Sequence, residues 1–363
     1  MKNTFGTNLS LTLFGESHGE TIGAVLDGLA PGIAVDDGFI RSQLSLRRPA
    51  GKIGTARHEA DEYRIVSGVF EGKTTGTPLT ILIPNTAQHS KDYSATRALP
   101  RPGHADYTAY MKYHGFEDYR GGGHFSGRVT AALVAAGAIV LSALREKGIL
   151  IGTHIASCAG ISDRAFADIA EEISTLNQKE FAVLDDTKGA EMRAAIEAAA
   201  ADGDSVGGVL ETAIFGIPAG VGEPWFDTVE GVLSHALFSI PAVKGVQFGD
   251  AFAMVNGRGS DYNDLFYISG KEIKTATNHN GGVNGGITNG MPILFSCAVK
   301  PTPSIFKAQN TVDMFEKTDA VLELKGRHDP AIIHRARVVV DSVAALAIAD
   351  LLVTRYGTDW LSK

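Results

Sequence analysis

The segment Arg101–Arg128, RPGHADYTAYMKYHGFEDYRGGGHFSGR, sets three histidines, four Lys/Arg and three carboxylates around the run Gly121-Gly122-Gly123. Imidazole exchanges a proton near neutral pH, and a guanidinium grips phosphate or carboxylate through two parallel donors. Three consecutive glycines cost folding entropy and pack nothing, so they mark backbone that must bend or closely approach another group. The combination points to an anionic ligand and proton transfer. Similar groups recur at His18, in the turn Gly15-Glu16-Ser17-His18-Gly19, and at Arg327-His328-Asp329-Pro330, where flanking cations keep the aspartate ionised. Taken singly, each leaves a structural role open: a strand-turn histidine is often structural, and the second motif would equally serve as a capping turn with a surface ion pair.

Arg47-Arg48-Pro49, Arg128 and Arg335 fall at element edges, where planar guanidiniums can clamp an anion. Alone each reads as a solvated surface charge; together with the Gly-rich loops they fit an anionic small molecule. Nucleotide motifs are missing: no Gly-x-x-x-x-Gly-Lys-Ser/Thr occurs, and the glycines at 281–290 do not sit between a strand and a helix. No His/Cys/Asp cluster has metal-ligand spacing, so no catalytic metal is expected.

The 363 residues carry a net charge of -8, so nothing global attracts nucleic acid or an anionic membrane, and an anion site must be a local basic pocket. Cys158 and Cys297 are too few for a disulfide framework and read as buried thiols. The N-terminus lacks the pattern of a cleaved leader, and Ala131–Ala143 reads as too short for a membrane span. A reduced, cytoplasmic setting is expected.

The elements that must position these groups follow from periodicity. Strands are expected at 9–14, 22–27, 64–70, 79–83, 209–215 and 293–299. Helices are expected at 33–49, 107–114, 126–147, 163–180, 189–202, 226–238 and 338–356. The helix at 126–147 is apolar on nearly every face, which suits a layer sandwiched between others. Residues 50–62 and 256–292 read as loops. GAVLDGLAPG at 23–32 echoes GVLETAIFGIPAG at 208–220, and YRIVSGVFEG echoes AVKGVQFGD. Internal duplication and chance similarity of Gly-rich units are both open on that basis.

In order, FGESHG, VLDGLAPG, RRP, SGVFEGKTTGTP, KDYS, RPGHADYTAYMKY, DYRGGG, GRVT, AAGAI, GEPWFD, AVKG, NHNGGVNGGITNG, KPTPSI and GRHDP make the chain resemble chorismate synthase along almost its whole length. The resemblance implies an α+β fold, a β-α-β sandwich of two antiparallel sheets around a central helical layer, with residues 1–363 as a single domain, assembled as a homotetramer. It implies trans-1,4-elimination of phosphate from 5-enolpyruvylshikimate 3-phosphate to give chorismate, in the shikimate pathway of aromatic amino acid biosynthesis. Reduced FMN is needed without net redox change, so the difficult electronic step belongs to the cofactor. The length, without a large insertion, leans towards an external flavin reductant rather than intrinsic NADPH-dependent reduction.

Carried over by motif, the resemblance makes His18 the acid that protonates the reduced flavin and His104 the acid serving the departing phosphate. Asp329 stands near the flavin N5, helping it accept the proton lost from carbon 6. Arg47, Arg48, Ser126, Arg128 and Arg335 would hold the substrate, and Arg47 would also touch NADPH. His124, Phe125, Ser126, Ala242, Gly286, Lys300, Pro301, Thr302, Pro303, Ser304 and Arg327 match positions that contact FMN. One departure stands out: many members carry Arg and Ser where this chain has His124 and Phe125. That motivates an alternative, a catalytically silent flavin- or phosphosugar-binding homologue; the residues alone would also fit a metal-free phosphatase.

Overall fold

The structure is a computed structural model describing residues 2–48, 53–54, 61–86, 97–324 and 329–362. Pro49, the KDYS motif and Arg327-His328 lie outside the described residues. Among those described, two five-stranded antiparallel sheets enclose a helical layer. The halves repeat one plan. Strands Ser10–Gly15 and Thr21–Asp27, helix Asp37–Arg47, strands Arg64–Ser67 and Leu79–Pro84, and helix Thr130–Glu146 make the first. Strands Leu150–Cys158 and Gly208–Phe215, helix Val229–Leu237, strands Val243–Phe248 and Ile293–Val299, and helix Ile333–Tyr356 make the second. In both sheets the fourth of these strands lies between the second and the third, and the third strand carries a register shift against the fourth.

A conserved pattern of bonds between the halves supports duplication. Buried Thr74 donates to the Ala30 carbonyl and accepts from the Ile33 amide, while the Gly32 amide donates to its carbonyl. Buried Thr288 does the same with Pro218, Val221 and Gly220. These threonines sit in GKTTGTP and GITNGMP, a second echo of the same spacing.

Helices Thr130–Glu146 and Ile333–Tyr356 pack directly on each other because Gly137 lets them approach: a Cβ there would lie 2.3 Å from that of Ser342. Almost every residue of both helices is buried, as the all-round apolar pattern requires. Each fully buried Ile, Leu or Val in this layer contributes about 1.5–3 kcal/mol. The stretch Gly127–Glu146 is in fact long and apolar enough to cross a membrane; its burial between the sheets identifies it as a core helix.

Other expectations need correction. Leu150–Cys158 is a nine-residue strand beside the central strand of the second sheet, yet no strand was expected there. Its polar residues hide it: Thr153 donates to Asp341, and His154 bridges Asp163 and Glu211 at 2.9 Å each. Residues 256–292 are not a continuous loop but include the hairpins Phe266–Ser269/Glu272–Thr275 and Val283–Asn284/Ile287–Thr288. The final helix begins at Ile333 rather than 338, which puts Arg335 in its first turn. Helices expected at 33–49 and 163–180 shorten to Asp37–Arg47 and Ile169–Leu176, each started by an aspartate cap. Both cysteines are buried, which pushes the Cys158 thiol up to about 11 and Cys297 up to about 12.

Candidate functional site

The triple glycine joins the two candidate acids. All three residues have positive φ, which only glycine adopts freely. A Cβ on Gly121 would stand 2.3 Å from His18 Cε1, and one on Gly122 would stand 3.2 Å from His104 Cε1. The two imidazoles therefore lie against consecutive residues of one backbone turn. Gly123 locks that turn: its carbonyl accepts from the Ser17 amide at 3.1 Å, and a Cβ would strike the Asp118 carbonyl at 2.0 Å.

Each histidine is held on one side. His18 is buried, with its Nδ1 3.1 Å from Ser17 Oγ. His104 Nδ1 lies 2.6 Å from Asp106 Oδ1, and Arg101 grips the same carboxylate through Nε and a terminal nitrogen at 2.8 and 2.7 Å. Burial alone would raise the Asp106 pKa, but the bonds from Arg101 and His104 outweigh it and hold the carboxyl well below its usual range. An ionised Asp106 fixes a proton on Nδ1 and aims Nε2 away, towards Gly122. His104, Asp106, Gly122 and Phe125 line a cavity of ≈ 50 Å³.

The loop Lys300–Ser304 knits this region to Asp329. Lys300 Nζ donates to the Gly103 carbonyl, Ser304 Oγ accepts from Arg101 at 3.3 Å, and Thr302 Oγ1 donates to the Asp329 carbonyl at 2.5 Å. Pro303 packs 3.5 Å from where a Gly103 Cβ would be. Ala242, in the left-handed region, accepts from the Lys300 amide at 3.0 Å. Asp329 binds Arg335 through Oδ2 at 2.5 Å, and its other oxygen is buried without a partner among the described residues.

The arginines converge on a residue that sequence reasoning missed. Asp61, fully buried, takes Arg47 at 3.1 Å, Arg48 at 3.6 Å and Arg128 more closely still. Burial opposes its charge, but Arg47 and Arg128 outweigh that and depress its pKa. For Arg47, burial is the leading influence and lowers its pKa; Asp61 resists, and Arg128 and Arg335 add repulsion, so both of those cations lie within electrostatic reach of it. Asn85, also missed, connects this cluster to His18. Its side chain accepts from Arg128 at 3.0 Å and donates to the Glu16 and Gly19 carbonyls at 2.9 Å.

A family model described as chorismate synthase matches residues 9–353. The chain belongs to the chorismate synthase family. It is 43% identical over 355 residues to the chorismate synthase of Aeropyrum pernix, covering 98% of this chain and 93% of that one. With that of Thermococcus kodakarensis it shares 42% identity over 350 residues, 96% and 97% of the two chains. A crystal structure of chorismate synthase superposes with a TM-score of 0.77 at 29% identity, covering 98% of this chain and 94% of the other. The α+β sandwich is thus that of the family, and membership makes the chain a carbon–oxygen lyase acting on a phosphate.

Positions matched to the family from sequence divide into those gathered here and those set apart. His18, His104, Asp329, Lys300–Ser304, Ala242 and the four arginines form one connected network. Gly286 is packed instead against Thr228 and the Glu223 carbonyl, in the second half's counterpart of the Gly72 turn. Ser126 spends its hydroxyl on the Arg128 amide at 3.3 Å. At the departures from the common chorismate synthase pattern, His124 Nδ1 lies 2.8 Å from the Gly15 carbonyl and Phe125 packs edge-on to Tyr113.

Proposed function

We propose that this chain is a chorismate synthase, eliminating phosphate from 5-enolpyruvylshikimate 3-phosphate in a trans-1,4 sense with reduced FMN and no net redox change. The observation that carries this reading is the Gly121–Gly122 turn, whose consecutive residues lie against His18 and His104, with Asn85 linking the His18 turn to the arginine cluster. Arg47, Arg48, Arg128 and Arg335 would bind the phosphate and the two carboxylates bidentately. His104, oriented by Asp106 at Nδ1, presents Nε2 towards the leaving phosphate oxygen, to which its doubly protonated imidazolium form would donate the Nε2 proton. Asp329, with one oxygen on Arg335 and the other without a partner among the described residues, would assist loss of the carbon 6 proton on the cofactor side of the site. His18, steadied by Ser17, holds a proton for the cofactor side of the site.

The residues present suit FMN: the unpartnered Asp329 oxygen can accept from the flavin ring edge, and Lys300 with the hydroxyls of Thr302 and Ser304 can meet its polar groups. Together with Pro301, Pro303 and Ala242 they would hold it. When bound, reduced FMN supplies the electron density that carbon–oxygen cleavage needs. The hairpin residues Leu265, Phe266, Ile268 and Ile273 are each 67–72% exposed, a surface that supports a homotetramer. The continuous core supports one domain across residues 1–363. A cytoplasmic location agrees with the two reduced, buried thiols.

The decisive test is anaerobic: purified protein, reduced FMN and the enolpyruvyl substrate, followed for chorismate. Phosphate release without chorismate would indicate a phosphatase. Binding of both ligands without turnover would indicate the silent homologue; the side chains of His124 and Phe125 leave both acids in place, which disfavours it.

A further inference from the structure

We infer that Asp61 is an internal substitute for the substrate's anion: its carboxylate occupies the seat between Arg47 and Arg128 and must exchange with the incoming phosphate or carboxylate group. The inference rests on the reading of the four arginines as the substrate clamp. The Arg47 and Arg128 side chains are only 8% and 4% exposed, and that of Asp61 is not exposed at all. Asp61 bridges the two guanidiniums, so an anion seated between both must take its place. Both cannot stay, because two carboxylate-like groups sharing the same donors would repel at contact distance in a poorly screened interior.

Two features make exchange the physical outcome. First, buried cations without a counter-ion are costly, so the ligand-free clamp needs a resident anion, and Asp61 is the carboxylate that three of the four arginines share. Second, Asp61 belongs to no helix or strand, so its carboxylate can leave the seat without breaking a regular element; its φ of 49° is a left-handed conformation that aspartate adopts more readily than most side chains. The fourth arginine, Arg335, has its own carboxylate in Asp329 and would keep it during exchange. Asp61 thus acts through Arg47 and Arg128, setting both their orientation and the selectivity of the seat for groups that outcompete a carboxylate.

The affinity of a ligand for a site that is open only part of the time falls by the open fraction. Asp61→Asn removes the competing charge while keeping the shape. Titration calorimetry of the full-length protein with inorganic phosphate should show the variant binding at least about tenfold tighter than wild type, the worth of one charge-assisted contact. Adding Arg128→Gln on that background should abolish the gain. Equal or weaker binding by Asp61→Asn would overturn the inference and leave Asp61 as an anchor. Should the variant fail to fold, hydrogen exchange on wild type decides: the peptide containing Asp61 should lose protection at saturating phosphate, and unchanged or greater protection refutes exchange. An active wild type with no gain in the variant rejects Asp61's role alone. A wild type that makes no chorismate rejects the clamp reading itself.

Discussion

Gly121→Ala tests whether the glycine turn exists to seat His18. The new Cβ would stand 2.3 Å from His18 Cε1 and 2.5 Å from Nδ1, whereas ordinary contact begins at 3.4 Å, so the ring or the turn must shift by roughly 1 Å. The residue also sits at φ 60°. Left-handed strain of about 1–2 kcal/mol and overpacking of about 1–3 kcal/mol together predict a loss of about 2–5 kcal/mol in urea unfolding. A displacement near 1 Å at a catalytic group lowers turnover by about 10²-fold. The assay is anaerobic chorismate formation at saturating substrate, run beside Gly127→Ala, whose Cβ meets nothing within 4 Å. The control should retain stability and rate. Near-normal turnover in Gly121→Ala would mean that His18 has no exacting position to lose, and its role as an acid would be withdrawn.

His104→Ala should lower turnover by about 10²- to 10⁴-fold, the usual worth of a positioned acid, with substrate binding by calorimetry less affected. Asp350 is buried and accepts from the amides of Thr7, Asn8 and Leu9 at 2.8–2.9 Å, so Asp350→Ala should cost about 3 kcal/mol in denaturant unfolding by freeing the N-terminal segment. Burial lowers the His154 pKa, but its bonds to Asp163 and Glu211 outweigh that and raise it. Its stabilisation is therefore complete below the unfolded value of about 6.5 and fades as pH rises through the folded pKa. His154→Gln should flatten that part of the stability–pH curve. If the halves are duplicates, Thr74→Val and Thr288→Val should each destabilise by a similar amount, about 1–3 kcal/mol.

Much of the site was legible because its groups are chemically conspicuous: histidines in glycine turns and paired arginines announce themselves. What escaped notice was held by context. Asp61 lies at the edge of a charged, aperiodic segment, and neither its buried setting nor its left-handed backbone is written in local pattern. Asn85 follows a strand and reads as a turn residue, yet its amide joins Arg128 to the His18 turn. The strand Leu150–Cys158 was obscured because its threonine and histidine are satisfied by residues distant in sequence. The duplication had a readable signal in GKTTGTP and GITNGMP, but its force comes from the matching hydrogen bonds, which only the folded chain displays.

The proposed chemistry makes one demand that no rival shares: phosphate and chorismate must appear together while the flavin ends as it began. Purified protein, reduced FMN and 5-enolpyruvylshikimate 3-phosphate, mixed without oxygen and followed by absorbance and phosphate release, should give equimolar products and a flavin spectrum that returns to the reduced form. Phosphate without chorismate, or flavin consumed in step with product, would contradict it.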